Sequence, residues 1–188
     1  MRVLIVDDES LIRMDLRDII ESCGHEVVAE GTNGVEAIKL CKEYKPDIVL
    51  MDVKMPELDG IEAARQIFLN HEAPVVLLTS YSQQDLINKA RESGVYGYLI
   101  KPVREEQLVP TLEMALGRYH SDAELREKMA ELEQSLEDRK IIQKGTGILM
   151  ELYSISEEEA YNRIRALSMK KRDSIVNICK ALINQVLK

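Results

Sequence analysis

The chain has no tryptophan and a single phenylalanine. It therefore lacks the broad aromatic platform on which single-stranded bases are usually stacked. Cysteine is also scarce. Cys23, Cys41 and Cys179 share no metal-ligand spacing and no pairing pattern, which argues against a zinc site or a disulfide framework. They fall at apolar-periodic positions and are expected as reduced core residues. No apolar run approaches the roughly 18 residues needed to cross a bilayer. The N-terminus turns acidic by Asp7 and carries no cleavage signal. A soluble, cytoplasmic protein with no membrane partner is expected. What the chain does have is 45% hydrophobic and 31% charged residues, enough for a packed core. Its 188 residues leave room for one ordinary domain and a smaller module.

The formal net charge of -8 is unevenly spread. Residues 1–117 carry 12 Lys and Arg against 21 Asp and Glu; residues 118–138 carry 3 against 7. Residues 139–188 carry 10 against 5 and are net positive. Only that last segment suits a polyanion, although an ordinary solvated surface would look similar.

Residues 1–117 alternate between two periods. Five short apolar runs stand out: Val3–Val6, Glu26–Ala29, Asp47–Met51, Pro74–Leu78 and Tyr96–Ile100. Most are nearly continuous in apolar residues, as in parallel strands buried on both faces. Between them lie helical spacings at Ile12, Leu16, Ile19 and Ile20; at Val35, Ala37, Ile38 and Cys41; and at Ile61, Ala64, Ile67 and Phe68. Leu86 with Ala90, then Leu108, Leu112, Ala115 and Leu116, mark two more. Ser10, Asn33 with Glu36, and Ser82 with Asp85 are the expected caps. Gly24 and Gly94 are expected just after helices. The pattern predicts an α/β doubly wound, flavodoxin-like fold with a five-stranded parallel sheet, whose ligands bind at the carboxyl ends of the strands.

Asp7 and Asp8 follow the first predicted strand and Asp52 ends the third. In a doubly wound sheet those strands are neighbours, so three carboxylates converge. Such a cluster repels itself without a cation, and oxygen donors of this kind favour Mg2+. Thr79 follows the fourth strand and Lys101 the fifth, facing the same crevice. A carboxylate nucleophile, a lysine, a hydroxyl and a metal make up a phosphoryl-transfer site. Taken singly, each has a plainer reading: Asp7-Asp8 as a loop cap, Thr79 as a helix cap, Lys101-Pro102 as a turn. Their joint placement at the strand ends is what favours the chemical one.

These residues carry a resemblance. Val6-Asp7-Asp8-Glu9, Met51–Pro56 with Asp59-Gly60, Leu77–Ser80 and Tyr98–Pro102 resemble a two-component receiver domain over residues 1–117. The resemblance implies phosphorylation of Asp52 by a sensor histidine kinase. It implies Mg2+ held by Asp8, Asp52 and the Lys54 carbonyl, with Asp7 acting mainly through water. It also implies a cis Lys101-Pro102 bond, Thr79 and Tyr98 as a switch pair, and a homodimer formed on phosphorylation. No enzymatic activity is expected beyond phosphorylation and dephosphorylation of the chain itself. A metal-dependent phosphatase is disfavoured because no second acid/base pair stands out.

Beyond residue 117, Leu125, Met129, Leu132 and Leu136 follow a 4-3-4 spacing, a heptad seam of about two heptads. Residues 118–138 are expected as a coiled-coil linker that dimerises, or else as a helix packed on its own first domain. Residues 139–188 read as three helices. Ile141, Ile148, Leu149 and Leu152 mark the first. Ser156 with Glu159 opens the second, with Ala160, Ile164 and Leu167. Asp173 or Ser174 caps the third, with Ile175, Ile178, Cys179, Leu182, Ile183 and Val186. Leu136–Lys140, Gly147–Met150, Ser156–Tyr161, Arg165 and Ser168-Met169 resemble the ANTAR family of RNA-binding antitermination modules. The domain order is similar to that of regulators of ethanolamine utilisation. The resemblance implies binding to RNA stem-loops in nascent mRNA that lets polymerase read through a terminator. The expected RNA-binding residues are Arg139, Lys140, Lys144, Thr146, Arg163, Arg165, Lys170, Lys171 and Arg172. Thr146 stands where the family usually has lysine. A DNA-binding three-helix reader is the alternative, disfavoured because the third helix carries only Lys180 and Lys188 as bases. A protein-interaction output is a further one.

Overall fold

A computed structural model describes residues 1–70, 72–80 and 94–186. The expected fourth helix, with its cap Ser82–Asp85 and face Leu86 and Ala90, lies outside the described residues. Within them the strands are β1 (Arg2–Val6), β2 (Glu26–Gly31), β3 (Ile48–Asp52), β4 (Val75–Thr79) and β5 (Gly97–Ile100). They form one parallel sheet in the order β2-β1-β3-β4-β5. The helices are α1 (Ser10–Ser22), α2 (Gly34–Tyr44), α3 (Gly60–Leu69), α4 (Glu105–Tyr153), α5 (Glu157–Lys171) and α6 (Ile175–Val186).

The near-continuous apolar strands are explained by two cores, one on each face of the sheet. Leu4, Val6, Val49, Met51, Val75 and Leu77 bury one face beneath α2 and α3. Val3, Ile5, Ile48, Leu50, Val76, Leu78 and Leu99 bury the other beneath α1 and the start of α4, through Leu16, Ile20, Leu108 and Leu112. Successive strand residues point to opposite faces, so both sets must be apolar. Strand order reverses around β1, leaving the crevice between the ends of β1 and β3 open to a ligand.

Several local expectations need correction. Ser10 does not cap α1. It is the first helical residue, Glu9 holds the cap position, and no side chain accepts a bond there. Asn33 caps α2 by accepting from the Glu36 amide at 2.8 Å, but the Glu36 carboxylate reaches back to the Thr32 amide rather than to Asn33. Ser156 caps α5 through the Glu159 amide, while the Glu159 carboxylate turns away to Arg163. Ser174 is the cap of α6, accepting from the Asn177 amide; Asp173 instead binds the Asn177 side chain. Cys41 and Cys179 are core residues. Cys23 is only partly covered, with its sulfur 3.6 Å from Glu105 Oε1.

The chain divides into two compact units, Met1–Ala123 and Glu124–Lys188. The last receiver-side helix, the linker and the first output helix, expected separately, are one helix α4 by hydrogen bonding. Its interior glycines Gly117, Gly145 and Gly147 weaken a helix without removing a backbone donor, so none of them ends it. In the second unit the end of α4, α5 and α6 enclose Leu149, Ala160, Ile164, Ile178 and Cys179. Leu152, Leu167 and Val186 lie outside this core and are exposed, because the unit is too small to cover every apolar residue of its helices.

Gly145 sets the closest approach in that core. A Cβ there would lie 2.7 Å from both Cβ and Sγ of the buried Cys179, whereas a Cβ at Gly147 would meet nothing within 4 Å. Gly145→Ala should therefore force α4 and α6 apart, at a cost of about 1–3 kcal/mol. Gly147→Ala should instead stabilise by about 1 kcal/mol through helix propensity. Opposite shifts in thermal unfolding are the expected result; shifts of the same sign would contradict this packing.

Candidate functional site

The carboxyl ends of β1, β3, β4 and β5 bring four side chains together. Asp7 follows β1 and is fully buried; Asp52 ends β3 and is 8% exposed. Lys101 follows β5 and reaches both, with Nζ 2.6 Å from Asp7 Oδ2 and 2.8 Å from Asp52 Oδ1. Thr79 ends β4, is buried, and its hydroxyl donates to the Ser80 carbonyl at 3.2 Å. Backbone bonds hold the rim: the Lys101 amide donates to the Thr79 carbonyl, and the Val53 amide to the Leu78 carbonyl. The Lys54 amide donates to Asp52 Oδ2 at 3.1 Å, and the Glu9 amide to Asp7 Oδ1 at 3.0 Å. The Lys101–Pro102 bond is cis, matching the expectation.

Electrostatics make the crevice demanding. Burial pushes the Asp52 carboxyl up; its bond to Lys101 offsets only part of that, and the Asp7 charge adds to the rise. Burial pulls Lys101 down, but its bonds to Asp52 and Asp7 outweigh this and hold the ammonium firmly protonated. The predicted convergence of three carboxylates is met by two. Asp8 is exposed, and among the described residues no group of three Asp, Glu, His or Cys side chains is gathered as a metal site.

Arg13, Glu30, Asp59 and Gly60 were given no role in the site from sequence. Arg13 on α1 donates to the Asp7 carbonyl at 2.7 Å and pairs with Glu30 at 3.1 Å. Glu30 is partly buried, which raises its pKa, yet Arg17 and Arg13 more than compensate and leave it below its usual value. Asp59 caps α3 by accepting from the Ile61 and Glu62 amides. Gly60 packs its Cα against the Asp52 carbonyl so closely that a Cβ would collide with it. Asp59-Gly60 was visible as a motif. The Arg13–Glu30 pair joins residues 17 apart and has no sequence signal.

Two family models match the chain: the response regulator receiver domain over residues 3–113, and the ANTAR domain over residues 130–183. The chain belongs to the response regulators with a receiver and an ANTAR domain. The transcriptional regulatory protein PdtaR of Mycobacterium tuberculosis is 39% identical over 182 residues, covering 97% of this chain and 89% of that protein. The chemotaxis protein CheY of Thermotoga maritima is 42% identical over 112 residues, covering 59% of this chain and 93% of that protein. Among solved structures, the receiver domain of a modulated diguanylate cyclase from Desulfovibrio desulfuricans aligns with a TM-score of 0.60 at 33% identity, covering 64% of this chain and 96% of that one.

In this response regulator Tyr98, the expected partner of Thr79, is half exposed on β5. Leu125, Met129, Leu132 and Leu136 are all more than half exposed along one stripe of α4. In the ANTAR unit Arg139, Lys144 and Arg165 are exposed. Lys140 pairs loosely with Glu137 at 3.5 Å, an exposed pair worth little. Arg163 pairs with Glu159 at 2.9 Å and lies over the Tyr153 ring, 5.4 Å from its centroid. Lys170 and Lys171 form the last turn of α5, and Arg172 follows in the left-handed region. Thr146 does not fit its expected place on the RNA face. It is 4% exposed, and its hydroxyl donates to the Ile142 carbonyl at 2.8 Å, so the group is turned inward and already bonded. No described helix is long and apolar enough to cross a membrane.

Proposed function

We propose that this response regulator accepts a phosphoryl group on Asp52 from a sensor histidine kinase, pairs with a second copy, and binds hairpin RNA to promote transcription antitermination. The observation that carries the reading is the Asp52 carboxylate, buried at a strand end and bridged by Lys101 to Asp7. The donor chemistry fits Mg2+. Asp7, Asp8 and Asp52 set three negative charges against the one of Lys101, and all offer hard oxygens. Asp8, Asp52 and the Lys54 carbonyl would hold the ion, with Asp7 acting through water. When bound, Mg2+ supplies charge neutralisation at the phosphoryl oxygens.

Asp52 forms the new bond to phosphorus as the phosphohistidine P–N bond breaks and its electron pair stays on the imidazole. Lys101 turns from bridging carboxylates to bonding a phosphoryl oxygen. Thr79 exchanges the Ser80 carbonyl for the phosphoryl group, and Tyr98 follows inward from its exposed position. The exposed Leu125–Leu136 stripe then pairs with its copy, placing two ANTAR modules on two adjacent hairpins. Arg139, Lys140, Lys144, Arg163, Arg165 and Lys170–Arg172 supply the phosphate contacts.

Binding of the full chain to a two-hairpin RNA, with and without a small phosphodonor, tests this. Phosphorylation should tighten binding by at least about tenfold. Leu132→Glu should leave Asp52 labelling intact and abolish that gain. Replacing Lys170, Lys171 and Arg172 by alanine should lower the salt slope by up to about one for each charge removed. An affinity indifferent to both phosphodonor and salt would reject the reading, and stronger binding to duplex DNA of equal length would favour the DNA-binding alternative.

A further inference from the structure

Both backbone groups of Asp7 are committed to β2. Its amide donates to the Gly31 carbonyl at 3.1 Å. Its carbonyl accepts from Arg13 Nη1 at 2.7 Å, and Nε of the same guanidinium donates at 3.1 Å to Glu30, the residue before Gly31. The other oxygen of Glu30 is taken by Arg17, 2.6 Å away. Arg13 is thus held from α1 and from β2, and its side chain is only 16% exposed. On the far side of Asp8, the Glu9 amide donates back to Asp7 Oδ1 at 3.0 Å. The Asp8 side chain is exposed and makes no hydrogen bond or ion pair among the described residues.

Asp8 therefore has a loose side chain on a fixed backbone. Arg13 pins the peptide before it at the Asp7 carbonyl, and Asp7 pins the peptide after it at the Glu9 amide. A peptide group is planar, so fixing these two planes fixes both backbone dihedrals of the residue between them. Only rotation of the Asp8 side chain then stays free. Freeing the backbone of one residue shifts an equilibrium on the order of tenfold. A guanidinium is otherwise a poor neighbour for a divalent cation, because like charges repel. Glu30 offsets that charge, and the rigid fork of donors lets one side chain hold the Asp7 carbonyl and Glu30 together.

We propose that Arg13, braced by Glu30, is a positioning residue for the Mg2+ site: by holding the Asp7 carbonyl it presents the Asp8 carboxylate to the ion. This rests on the phosphoryl-acceptor reading above and adds to it the residue that preorganises a metal ligand. Arg13 acts through the Asp7–Asp8 peptide and bonds neither Asp52 nor Lys101. Its loss lowers affinity for the ion and leaves the transfer step itself intact once the ion is saturating. Partners that orient a ligand in this way change metal affinity by about 10–100-fold.

The test follows amide chemical shifts of the full-length, unphosphorylated chain as MgCl2 is added; the same spectra report whether each variant is folded. Arg13→Met should weaken Mg2+ binding by about tenfold. Coulomb repulsion alone predicts the opposite sign, since a positive charge has been removed. Arg13→Lys keeps the charge without the fork, so most of the loss should remain. Arg17→Met removes the other cation on Glu30 without touching Asp7, and should stay within about twofold of the parent. Labelling by a small phosphodonor is then measured against Mg2+ concentration. Arg13→Met should raise the half-maximal Mg2+ concentration about tenfold and change the rate at saturation by less than about twofold. A merely structural role would lower the rate without moving that concentration. If Arg13→Met binds Mg2+ as tightly as the parent, or if Arg17→Met weakens it equally, Arg13 does not position the ligand and the acceptor reading survives. Should Arg13→Met fail to fold, Arg13→Lys decides, and parental affinity there overturns the proposal. If the parent chain shows neither Mg2+-dependent shifts nor labelling, both fall.

Discussion

Asp52→Asn, incubated with Mg2+ and a small phosphodonor, is expected to gain no phosphoryl adduct in its intact mass, whereas the parent chain is labelled. The amide keeps the shape of the carboxylate and its bond to the Lys54 amide, but it offers no anionic oxygen to attack phosphorus. Exposed Asp8, next to Asp7 in the chain, is an alternative acceptor, yet it has no described lysine bridge like the one that positions Asp52. The same variant has a stability signature. Burial raises the Asp52 carboxyl above its ordinary value, so the folded chain binds a proton more readily than the unfolded one. Its contribution to stability is therefore lost as pH rises from the ordinary carboxylate range through the raised value. Asp52→Asn should remove that decline, giving a flatter stability profile in metal-free buffer. Labelling of Asp52→Asn at the parent's rate would place the acceptor elsewhere.

Lys101→Met should cause a large loss of stability in the receiver. The lysine side chain is 19% exposed and bridges carboxylates that are 0% and 12% exposed. Methionine fills a similar volume but leaves Asp7 and Asp52 facing each other without a counter-charge. Removing one partner of a buried ion pair costs about 3–5 kcal/mol, because the remaining charge stays desolvated. Denaturant unfolding in a chelating buffer near neutral pH reads this directly. The loss should shrink as pH falls and Asp52, already raised, takes up a proton. It should also shrink when Mg2+ is added, since an ion that binds only the folded state stabilises it. A variant as stable as the parent, or one that loses further stability on acidification, would overturn the account of the crevice. Phosphodonor labelling should fall as well, because the same ammonium is expected to meet the incoming phosphoryl group.

Much of the receiver was legible because its signals are local and repeated. Val3–Val6 and Pro74–Leu78 are apolar at every position and their counterparts nearly so, as strands buried on both faces require. Asp52, Thr79 and Lys101 could be placed because each sits at the end of such a run, and strand ends meet in a doubly wound sheet. The helix starts were less legible. Ser10 is a good cap residue, but Glu9 holds the cap position and its amide is taken by Asp7, a bond that depends on where β1 ends. In the tail, Thr146 was expected on the RNA face because it stands where the family usually has lysine, with Gly145 and Gly147 on either side. They lie inside a continuous helix, and Gly145 serves the approach of Cys179 from α6. Thr146 is carried inward with them.

Alternation, capping and strand-end chemistry thus belong to the chain itself. The order of residues along it is enough to specify a parallel sheet between helices, an acidic acceptor at the end of the third strand, and a net positive tail. Tertiary structure alone decided the rest: that Lys101 bridges Asp7 and Asp52 while Asp8 is left exposed, that Arg13 and Glu30 brace the first acid, and that Arg139, Tyr161 and two glutamates share one pocket. The physical reason is range. Periodicity and caps act over a few neighbours and leave a mark in the sequence. Charge pairing across a sheet and the lining of an interhelical pocket join residues far apart in the chain, and their distances exist only once the core has packed.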